Sequence, residues 1–410
     1  MSLLRTMSAV FVCSGLVAGL FLAPSQAEPP RPAPVASQPT QAPTPLVVHE
    51  WGTFTSFSGS DGTNVSFYPN NEDLPRFVYQ QPGPSDSKSG RLSAGGTVSM
   101  ETPVLYFYAD SPMNVSVKVD FPKGWITEWY PFAVGAPSSR QGQGSGQSIR
   151  WNARLLPGEP VRLPVEKESK NNYYFARETD AVPLQAEIET PADRTPSELR
   201  GGNVVQREKF LFYRGVGTFP TPVSVKALGD GNVRVRNVAA GRLDGLILVS
   251  VSGGQIGFRA LGTLEAGSEQ VASLLPVGKS KADLTDTLVK ALTTAGLYEK
   301  EAKAMVKTWD SAWFGEDGTR LLYIVPRSRT DELLPLTLDP KPTEIVRVLV
   351  GRHDFLTPEQ EGDAERQVTR ARAARAELEA AEQQIQRIGR FSWNARQMAE
   401  KRLDSQLGRR

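Results

Sequence analysis

The sequence predicts an α+β fold, with an antiparallel β-sandwich-like body, a helical segment, two further strands and a long C-terminal helix. Three observations lead to this prediction. From Leu46 to about residue 275, apolar residues mostly alternate with polar ones, as they do in half-buried strands. Between residues 280 and 310 the apolar spacing changes to three and four. After Pro358 the same spacing continues to the C-terminal region, and no further proline interrupts it.

An export signal is predicted over residues 1–27. Arg5 gives the positively charged start, residues 9–23 form a short apolar run, and Ser25 and Ala27 place small residues at the positions of a cleavage site. The apolar run is shorter than the ~20 residues that a comfortable membrane span needs. We therefore expect cleavage after Ala27 and a mature protein that is periplasmic, cell-surface or secreted, with no membrane span.

Residues 28–45 are predicted to be a disordered, proline-rich tether. Seven of these eighteen residues are proline, and none is aromatic. Such a stretch favours the extended polyproline II conformation and buries too little surface to fold. Two interpretations remain open, a semi-rigid spacer and an unstructured leader that is left after the signal is removed.

The β-rich domain is predicted over residues 46–275. Its clearest strand carries Val115, Val117, Val119 and Phe121 in strict alternation. Two hairpins are predicted, one at Asp230-Gly231 and one at Ser252-Gly253-Gly254-Gln255. The other predicted strands are Val104–Tyr108, Ile149–Leu155, Tyr173–Arg177 and Lys209–Tyr213. So many closely spaced strands favour an antiparallel sandwich.

Two more regions follow the β-rich domain. Residues 276–356 are predicted to be an α+β segment packed on it, with a capping box at Ser280 and buried strands at Leu321–Val325 and Ile345–Val350. Residues 357–410 are predicted to be one long charged helix that begins at the N-cap Thr357. Its alanine-rich stripe would make it an appendage that is capable of weak coiled-coil self-association.

The composition excludes several classes of protein. The chain has 410 residues and a net charge of +2, so it lacks the basic surplus of a dedicated nucleic-acid-binding protein. Its one cysteine, Cys13, lies in the predicted signal, and it has only two histidines. We therefore predict neither disulfides nor a metal centre, and no cofactor.

Six strings of the sequence resemble an uncharacterised exported bacterial protein family that opens with a His-Glu-Trp-Gly-Thr-Phe-Thr motif. The strings are Val48–Thr55, Met100–Tyr108, Ile126–Pro131, Lys209–Gly217, Ala304–Trp309 and Arg347–Arg352. The resemblance spans most of residues 47–356. It implies export and one integrated fold, and it brings no established activity.

Four residues are candidates for catalysis, namely His49, Glu50, Glu101 and Glu128. Alternation places His49 and Glu50 on opposite faces of one strand. Glu50 among apolar neighbours must lie at a rim, meet an arginine, or serve chemistry with a raised pKa. For His49, a hydrogen-bonded packing role is favoured over catalysis.

Aromatic residues near Glu128 suggest a binding surface. Trp125, Trp129 and Tyr130 could stack on sugar rings while the carboxylate accepts hydrogen bonds from hydroxyl groups. The alternative is that these rings fill the core between the sheets.

Two hypotheses for function follow. The first is a non-catalytic binding or structural protein of the bacterial envelope, with a polysaccharide or a protein as its partner. The second is a carboxylate-based glycan hydrolase, which needs two carboxyl groups about 5 to 9.5 Å apart. A deep cleft with converging carboxylates would favour the hydrolase.

Overall fold

The computed structural model describes residues 45–67, 74–81, 98–137, 146–166, 171–187, 205–274, 280–373 and 378–407. The predicted signal peptide and all but the last residue of the predicted tether lie outside the described residues. Residues 44–410 form one compact unit.

The described residues form seventeen strands. In chain order they are β1 (Leu46–Ser58), β2 (Tyr79–Gln80), β3 (Val98–Ala109), β4 (Met113–Phe121), β5 (Gly124–Tyr130), β6 (Gln147–Leu155), β7 (Leu184–Glu187), β8 (Val205–Glu208), β9 (Leu211–Gly217), β10 (Val223–Gly229), β11 (Asn232–Asn237), β12 (Leu243–Ser252), β13 (Gln255–Leu264), β14 (Glu269–Ser273), β15 (Gly318–Ile324), β16 (Leu336–Asp339) and β17 (Glu344–Phe355).

Six α-helices accompany these strands in the described part of the chain. They are α1 (Lys281–Thr294), α2 (Glu299–Thr308), α3 (Arg327–Leu333), α4 (Pro358–Ala373), α5 (Leu378–Gln386) and α6 (Ser392–Leu407). Short 3-10 turns occur at Asn172–Arg177 and Gly389–Phe391, and a π-helical turn occurs at Ser311–Gly315.

The described strands assemble into three sheets. The largest has nine strands in the order β13-β12-β15-β17-β1-β3-β9-β5-β2. A five-stranded sheet has the order β16-β4-β6-β7-β8, and a three-stranded sheet has the order β10-β11-β14. All pairings in the nine-stranded sheet are antiparallel except the one between β1 and β17, which is parallel.

One face of the nine-stranded sheet packs against the two smaller sheets, and this contact forms the core of a sandwich. Residues such as Val48, Phe107 and Leu211 from the large sheet meet Val117 and Trp151 from the five-stranded sheet. The smaller sheets alternate as predicted, since every second residue of β4 is buried. Burial of such side chains stabilises the fold by about 1.5–3 kcal/mol each. The α+β prediction with a sandwich-like body is confirmed.

The other face of the nine-stranded sheet is covered by helices α1 and α2. Leu284 and Leu288 of α1 and Met305 of α2 pack in one cluster with strand residues that include Trp51 and Tyr106. The segment 276–356 thus supplies these helices and also β15 and β17, which lie inside the sheet. Trp309 and Trp313 belong to the same cluster, as ring partners 6.2 Å apart.

Most of the local sequence signals lie in the structural elements that they predicted. Ser280 Oγ accepts a hydrogen bond from the Asp283 amide at 3.0 Å and caps α1. Thr357 and Gln360 form the predicted reciprocal capping box at the start of α4. The segment Tyr173–Arg177, which we predicted as a strand, lies in a 3-10 turn. The Asn171 side chain accepts from the Tyr173 amide and caps this turn, which outweighs the strand preference of the aromatic residues.

The prediction of one continuous helix over residues 357–410 is wrong. Gly389 has φ +72°, a left-handed conformation that ends a helix, and α6 begins three residues later. Helices α4, α5 and α6 pack together through a cluster that includes Val368, Ile385 and Ala399. The stripe that we expected to support self-association is therefore buried within the chain.

The C-terminal helices are also not an appendage. Phe391 stacks on Phe57 of β1, with ring centroids 4.4 Å apart and planes at 5°. Leu356 and Ala395 belong to the same cluster. Within the described residues, no helix has the length and apolar character that crossing a membrane requires.

Candidate functional site

Strand β3 of the nine-stranded sheet carries a bulge at Glu101-Thr102-Pro103. Pairing of β1 with β3 shifts register between Trp51 and Thr53, and pairing of β3 with β9 is interrupted between Met100 and Val104. Proline is tolerated at such a point because it needs no ladder hydrogen bond there. Bulges of this kind commonly re-aim side chains next to functional sites.

The backbone at the bulge is strained. Thr102 has φ +53°, a left-handed conformation that is an outlier for a β-branched residue. Gly52 lies against the bulge from β1, and a Cβ atom on it would be 2.8 Å from Pro103 Cα. A residue with a side chain at position 52 would therefore push the two strands apart.

The bulge directs Glu101 into a buried ion pair. The carboxylate is 4 % exposed, and Arg390 Nη2 donates to its Oε1 at 2.5 Å. Thr55 Oγ1 donates to Oε2 at 3.2 Å. Arg390 belongs to the turn Gly389–Phe391, so the C-terminal region supplies the cation that compensates a charge in the central sheet.

Two further charged residues lie beside Glu101 on the neighbouring strands. Strand β9 lies between β3 and β5, and Arg214 of β9 is directly opposite Glu128 of β5. Directly opposite residues place their side chains on the same face of a sheet. Thr127 donates a short hydrogen bond to the Glu128 carboxylate. Both Arg214 and Glu128 are buried.

A cavity of about 110 Å³ adjoins this row of charges, and we name it the Thr102 cavity. Its lining residues are Leu74, Glu101, Thr102, Asn172, Tyr173, Arg214, Thr308, Trp309, Ser311, Ala312, Glu316 and Arg390. The lining combines two carboxylates, two guanidinium groups, an amide, hydroxyl groups and two aromatic rings. The Trp309 indole nitrogen is buried and has no hydrogen-bond partner among the described residues.

Two departures from regular backbone meet at the Thr102 cavity. They are the bulge, which contains the left-handed Thr102, and the π-helical turn that carries Ser311 and Ala312. π-Helical turns occur preferentially at functional sites. Strained conformations persist where the surrounding structure holds them in place, and they also concentrate at ligand-binding sites.

A second charged network supports the cavity from the side of β17. Arg352 Nη2 donates to Glu316 at 2.8 Å, and Arg352 Nε donates to Asp354 at 2.6 Å. Burial raises the pKa of Asp354, but Arg352 and Arg320 outweigh this effect and hold the pKa below its usual value. Glu316 lines the cavity, so this network fixes the position of one of its carboxylates.

Glu50 lies on the other face of the sheet, away from Glu101 and Glu128. It is fully buried, accepts a hydrogen bond from the Tyr213 hydroxyl at 2.6 Å, and pairs with Arg347 Nε at 2.5 Å. Arg347 also donates to Asp331 of α3. Of the three explanations considered for Glu50, the structure shows the ion pair with an arginine.

His49 packs under helix α2. Its Nδ1 lies 2.7 Å from Glu301, which also accepts hydrogen bonds from the Tyr108 hydroxyl and the Tyr298 amide. The imidazole lies against the Tyr298 ring, with ring centroids 4.4 Å apart and planes tilted by 36°. His49 is therefore one part of a buried polar cluster, and it does not line the Thr102 cavity.

The other histidine, His353, is fully buried between two serines. Ser56 Oγ lies 2.8 Å from its Nδ1 and Ser58 Oγ lies 3.0 Å from its Nε2. Burial lowers the pKa of His353 from 6.5 to about 4. The ring is thus neutral at physiological pH, and both of its nitrogens face hydroxyl groups.

The three aromatic residues predicted to bind a ligand occupy packed positions. Trp129 lies in the sandwich core, stacked on Tyr79 with centroids 5.9 Å apart. Tyr130 is buried on the helix-covered face and contacts Phe77. Trp125 is half-buried, opposite Val216. Trp309 and Tyr173 are the aromatic residues that line the Thr102 cavity instead.

We did not predict from the sequence that Thr102, Arg214, Trp309 and Arg390 belong to a site. One usable signal was Pro103 inside an apolar strand pattern, because proline in a strand interior indicates a bulge. A second signal for a site was Arg214, because it is a charged residue directly after the apolar string Phe210–Tyr213. In the described part of the chain, no group of three or more His, Cys, Asp and Glu residues is arranged to hold a metal ion.

No protein-family model and no curated protein sequence matches the chain. Among solved structures, it is similar to the Fcho1 mu homology domain of Danio rerio with a bound Eps15 peptide. The two chains are 7 % identical, with a TM-score of 0.30, and the alignment covers 77 % of this chain and 98 % of that one. The yeast delta-COP-I mu-homology domain is 8 % identical, with a TM-score of 0.31 and coverages of 76 % and 98 %.

Proposed function

We propose that the protein is an exported, non-catalytic binding protein of the bacterial envelope, and that the Thr102 cavity binds one sugar unit of an envelope polysaccharide. The observation that carries this proposal is the convergence of a bulge, with its left-handed threonine, and a π-helical turn on one polar cavity. A sequence accepts such local conflicts mainly at functional sites.

The charge of the lining favours a neutral polyhydroxylated ligand. Glu101 and Glu316 balance Arg214 and Arg390, so the cavity has no excess of either sign. Donors and acceptors stand side by side, which suits hydroxyl groups because each hydroxyl both donates and accepts. The rings of Trp309 and Tyr173 offer apolar surface for the C–H groups of a sugar.

The state of Glu101 favours binding over catalysis. Arg390 and Thr55 together occupy both carboxylate oxygens. A carboxylate that is fixed in this way positions its neighbours and cannot readily exchange a proton with a substrate. The strings that carry the family resemblance also support the proposal, since Thr55, Thr102, Arg214 and Trp309 all belong to them.

Export rests on the sequence of residues 1–27. The charged start at Arg5, the apolar run and the small residues before Glu28 are the pattern of a cleaved signal. Amino-terminal sequencing of protein recovered from the envelope or the medium should begin at Glu28. An intact Met1 would contradict export with cleavage.

A glycan hydrolase is the second candidate, and one observation favours it. Glu101 and Glu128 lie on the same sheet face with Arg214 between their strands. Strands two positions apart in a sheet are separated by about 10 Å, close to the upper end of the spacing in inverting glycosidases.

One experiment tests both candidates. Oligosaccharides prepared from bacterial envelope polysaccharides are titrated into the purified protein by calorimetry, and the same mixtures are analysed for cleavage by mass spectrometry. Glu101→Gln should weaken binding at least about tenfold, because it breaks the ion pair that positions Arg390 in the cavity lining. Glu361→Gln is the matched control, since Glu361 is a buried carboxylate that pairs with Arg402 and does not line the cavity.

Three outcomes decide between the candidates. Binding without cleavage, weakened by Glu101→Gln and not by Glu361→Gln, supports the binding protein. Cleavage by the wild type that is lost in Glu128→Gln supports the hydrolase. Equal binding by all variants contradicts the assignment of the Thr102 cavity. Trp309→Phe keeps one aromatic ring at the cavity, removes the indole N–H group together with the five-membered ring, and serves if Glu101→Gln fails to fold.

A further inference from the structure

The three-stranded sheet β10-β11-β14 has one face in the sandwich core and one face in solvent. Val225, Val233 and Val235 point inwards and are fully buried. The residues between them point outwards by the alternation of strands. We name the outward surface the basic sheet face, and its residues are Lys226, Leu228, Arg234, Arg236, Glu269 and Val271.

Cations are concentrated on this face. Lys226 is directly opposite Arg234, and Arg236 is two residues further along the same strand. Like charges directly opposite each other destabilise a sheet. Arg234 pairs with Glu269 at 3.4 Å, and Arg236 lies directly opposite the same residue in the sheet, so that one carboxylate faces both arginines. Within the described residues Lys226 and Arg236 have no ion pair, and the three cations and one carboxylate of the face leave a charge of about +2.

Exposed aliphatic side chains accompany these cations. Leu228 is 40 % exposed and Val271 is 53 % exposed, and Val238, directly after β11, is 52 % exposed. They are three of the eight large apolar side chains that are exposed in the described part of the chain. Sheet residues of this size usually pack against a neighbouring element when one is available.

We propose that the basic sheet face docks on an anionic phospholipid bilayer. Lys226 and Arg236 lie near the headgroup phosphates, where each basic residue contributes to attraction, and the three aliphatic side chains enter the interface. A soluble polyanion would satisfy the cations and leave the aliphatic side chains in water. The combination of uncompensated charge and exposed apolar surface therefore favours a bilayer. This surface is separate from the Thr102 cavity, and its residues are absent from the cavity lining.

Vesicle co-sedimentation tests the proposal. Vesicles of phosphatidylcholine with 30 % phosphatidylglycerol are compared with vesicles of phosphatidylcholine alone, at low and at physiological salt. The wild type should bind the anionic vesicles and not the neutral ones. The double variant Lys226→Ser/Arg236→Ser should reduce the partition coefficient at least about tenfold, because each of the two basic residues contributes separately to the attraction to the anionic surface.

Two further variants separate the possible causes. Lys290→Ser/Lys401→Ser removes the same number of charges from exposed positions on α1 and α6, and it should bind as the wild type does. Leu228→Ser/Val271→Ser keeps the charges and should also weaken vesicle binding. Equal loss in the Lys290/Lys401 control would overturn the proposal, because net charge alone would then explain binding. Binding to soluble alginate that is unaffected by the aliphatic variant, without binding to vesicles, would overturn it in favour of a polyanion.

Discussion

Arg390 and Glu101 are joined by a 2.5 Å ion pair across 289 residues of chain, and this contact fastens the C-terminal helices to the centre of the large sheet. Glu101 lies on a bulge of β3, and Arg390 lies in the turn that precedes α6. Both residues line the Thr102 cavity. The cavity is therefore complete only when the C-terminal region is docked.

Docking of the C-terminal region should depend on Phe391. Its ring is 3 % exposed and packs on Phe57 and Phe67. We expect Phe391→Ala to lower the free energy of unfolding by about 3 to 5 kcal/mol, or to release α6 for proteolysis. Urea denaturation and limited proteolysis measure the two effects. Trp393→Ala, at a position that is 42 % exposed, is the control and should cost much less.

Thr102→Gly should separate stability from binding. Glycine adopts φ +53° without the penalty that threonine incurs, so we expect an unchanged or higher free energy of unfolding, by up to about 1 kcal/mol. The same change removes a hydroxyl group from the Thr102 cavity and loosens the bulge, so oligosaccharide binding should weaken. Thermal denaturation and calorimetry on one preparation report both quantities. A clear loss of stability would show that the left-handed backbone is not strained.

Gly52→Ala should be destabilising because of a single contact. The added Cβ would lie 2.8 Å from Pro103 Cα and 3.0 Å from Pro103 N, and backbone atoms cannot move aside cheaply. Overpacking of this kind costs about 1 to 3 kcal/mol. Gly241→Ala is the matched control, because its added Cβ meets no atom within 4 Å. Equal unfolding free energies for the two variants would contradict the close approach of β1 to the bulge.

Stability should fall on the acidic side of neutral pH because of His353. Its pKa is about 4 in the folded protein and 6.5 when unfolded, so the folded state binds fewer protons between these values. The contribution is fully present above pH 6.5 and is lost as the pH falls towards 4, at up to about 1.4 kcal/mol per pH unit. Urea denaturation over this range measures the slope, and His353→Gln should reduce it.

The ring itself can be observed directly. The chain has only two histidines, so nuclear magnetic resonance of the imidazole groups gives two sets of signals, and the His353→Gln variant assigns them. The His353 signal should remain that of a neutral ring until the pH approaches 4. A midpoint near 6.5 in the folded protein would contradict the burial of this ring between Ser56 and Ser58.

Local signals in the sequence predicted the elements whose causes are local. The alternation around Val117, the turn at Asp230-Gly231 and the cap at Ser280 each involve residues that are close in the chain. The parallel pairing of β1 with β17 could not be predicted in this way, because it joins apolar strands that are far apart in sequence. The periodicity of apolar residues indicates which face of a strand is buried, but it does not indicate which strand lies next to it.

The candidate site was predictable only in fragments. Glu101 and Glu128 were predicted as candidate carboxylates; Glu128 lies directly opposite Arg214, and Arg214 lines the Thr102 cavity together with Glu101. Nothing in the spacing of the sequence indicates that Arg390 reaches Glu101. The register of three strands and the return of the C-terminal helices determine that contact, and both are tertiary features.

The position of β1 between β3 and β17 has a consequence for how the chain folds during its synthesis. Val47 pairs with Glu344 and Ser58 with Phe355, so β1 cannot form this pairing until β17, 297 residues later in the chain, has been synthesised. At 5–20 residues per second, this interval lasts about 15 to 60 s. Because such distant pairing is intrinsically slow, the sheet cannot close until nearly the whole chain has left the ribosome. The edge of β1 that pairs with β17 therefore stays open for most of the synthesis of the chain, although β3, the partner on its other edge, is made much earlier.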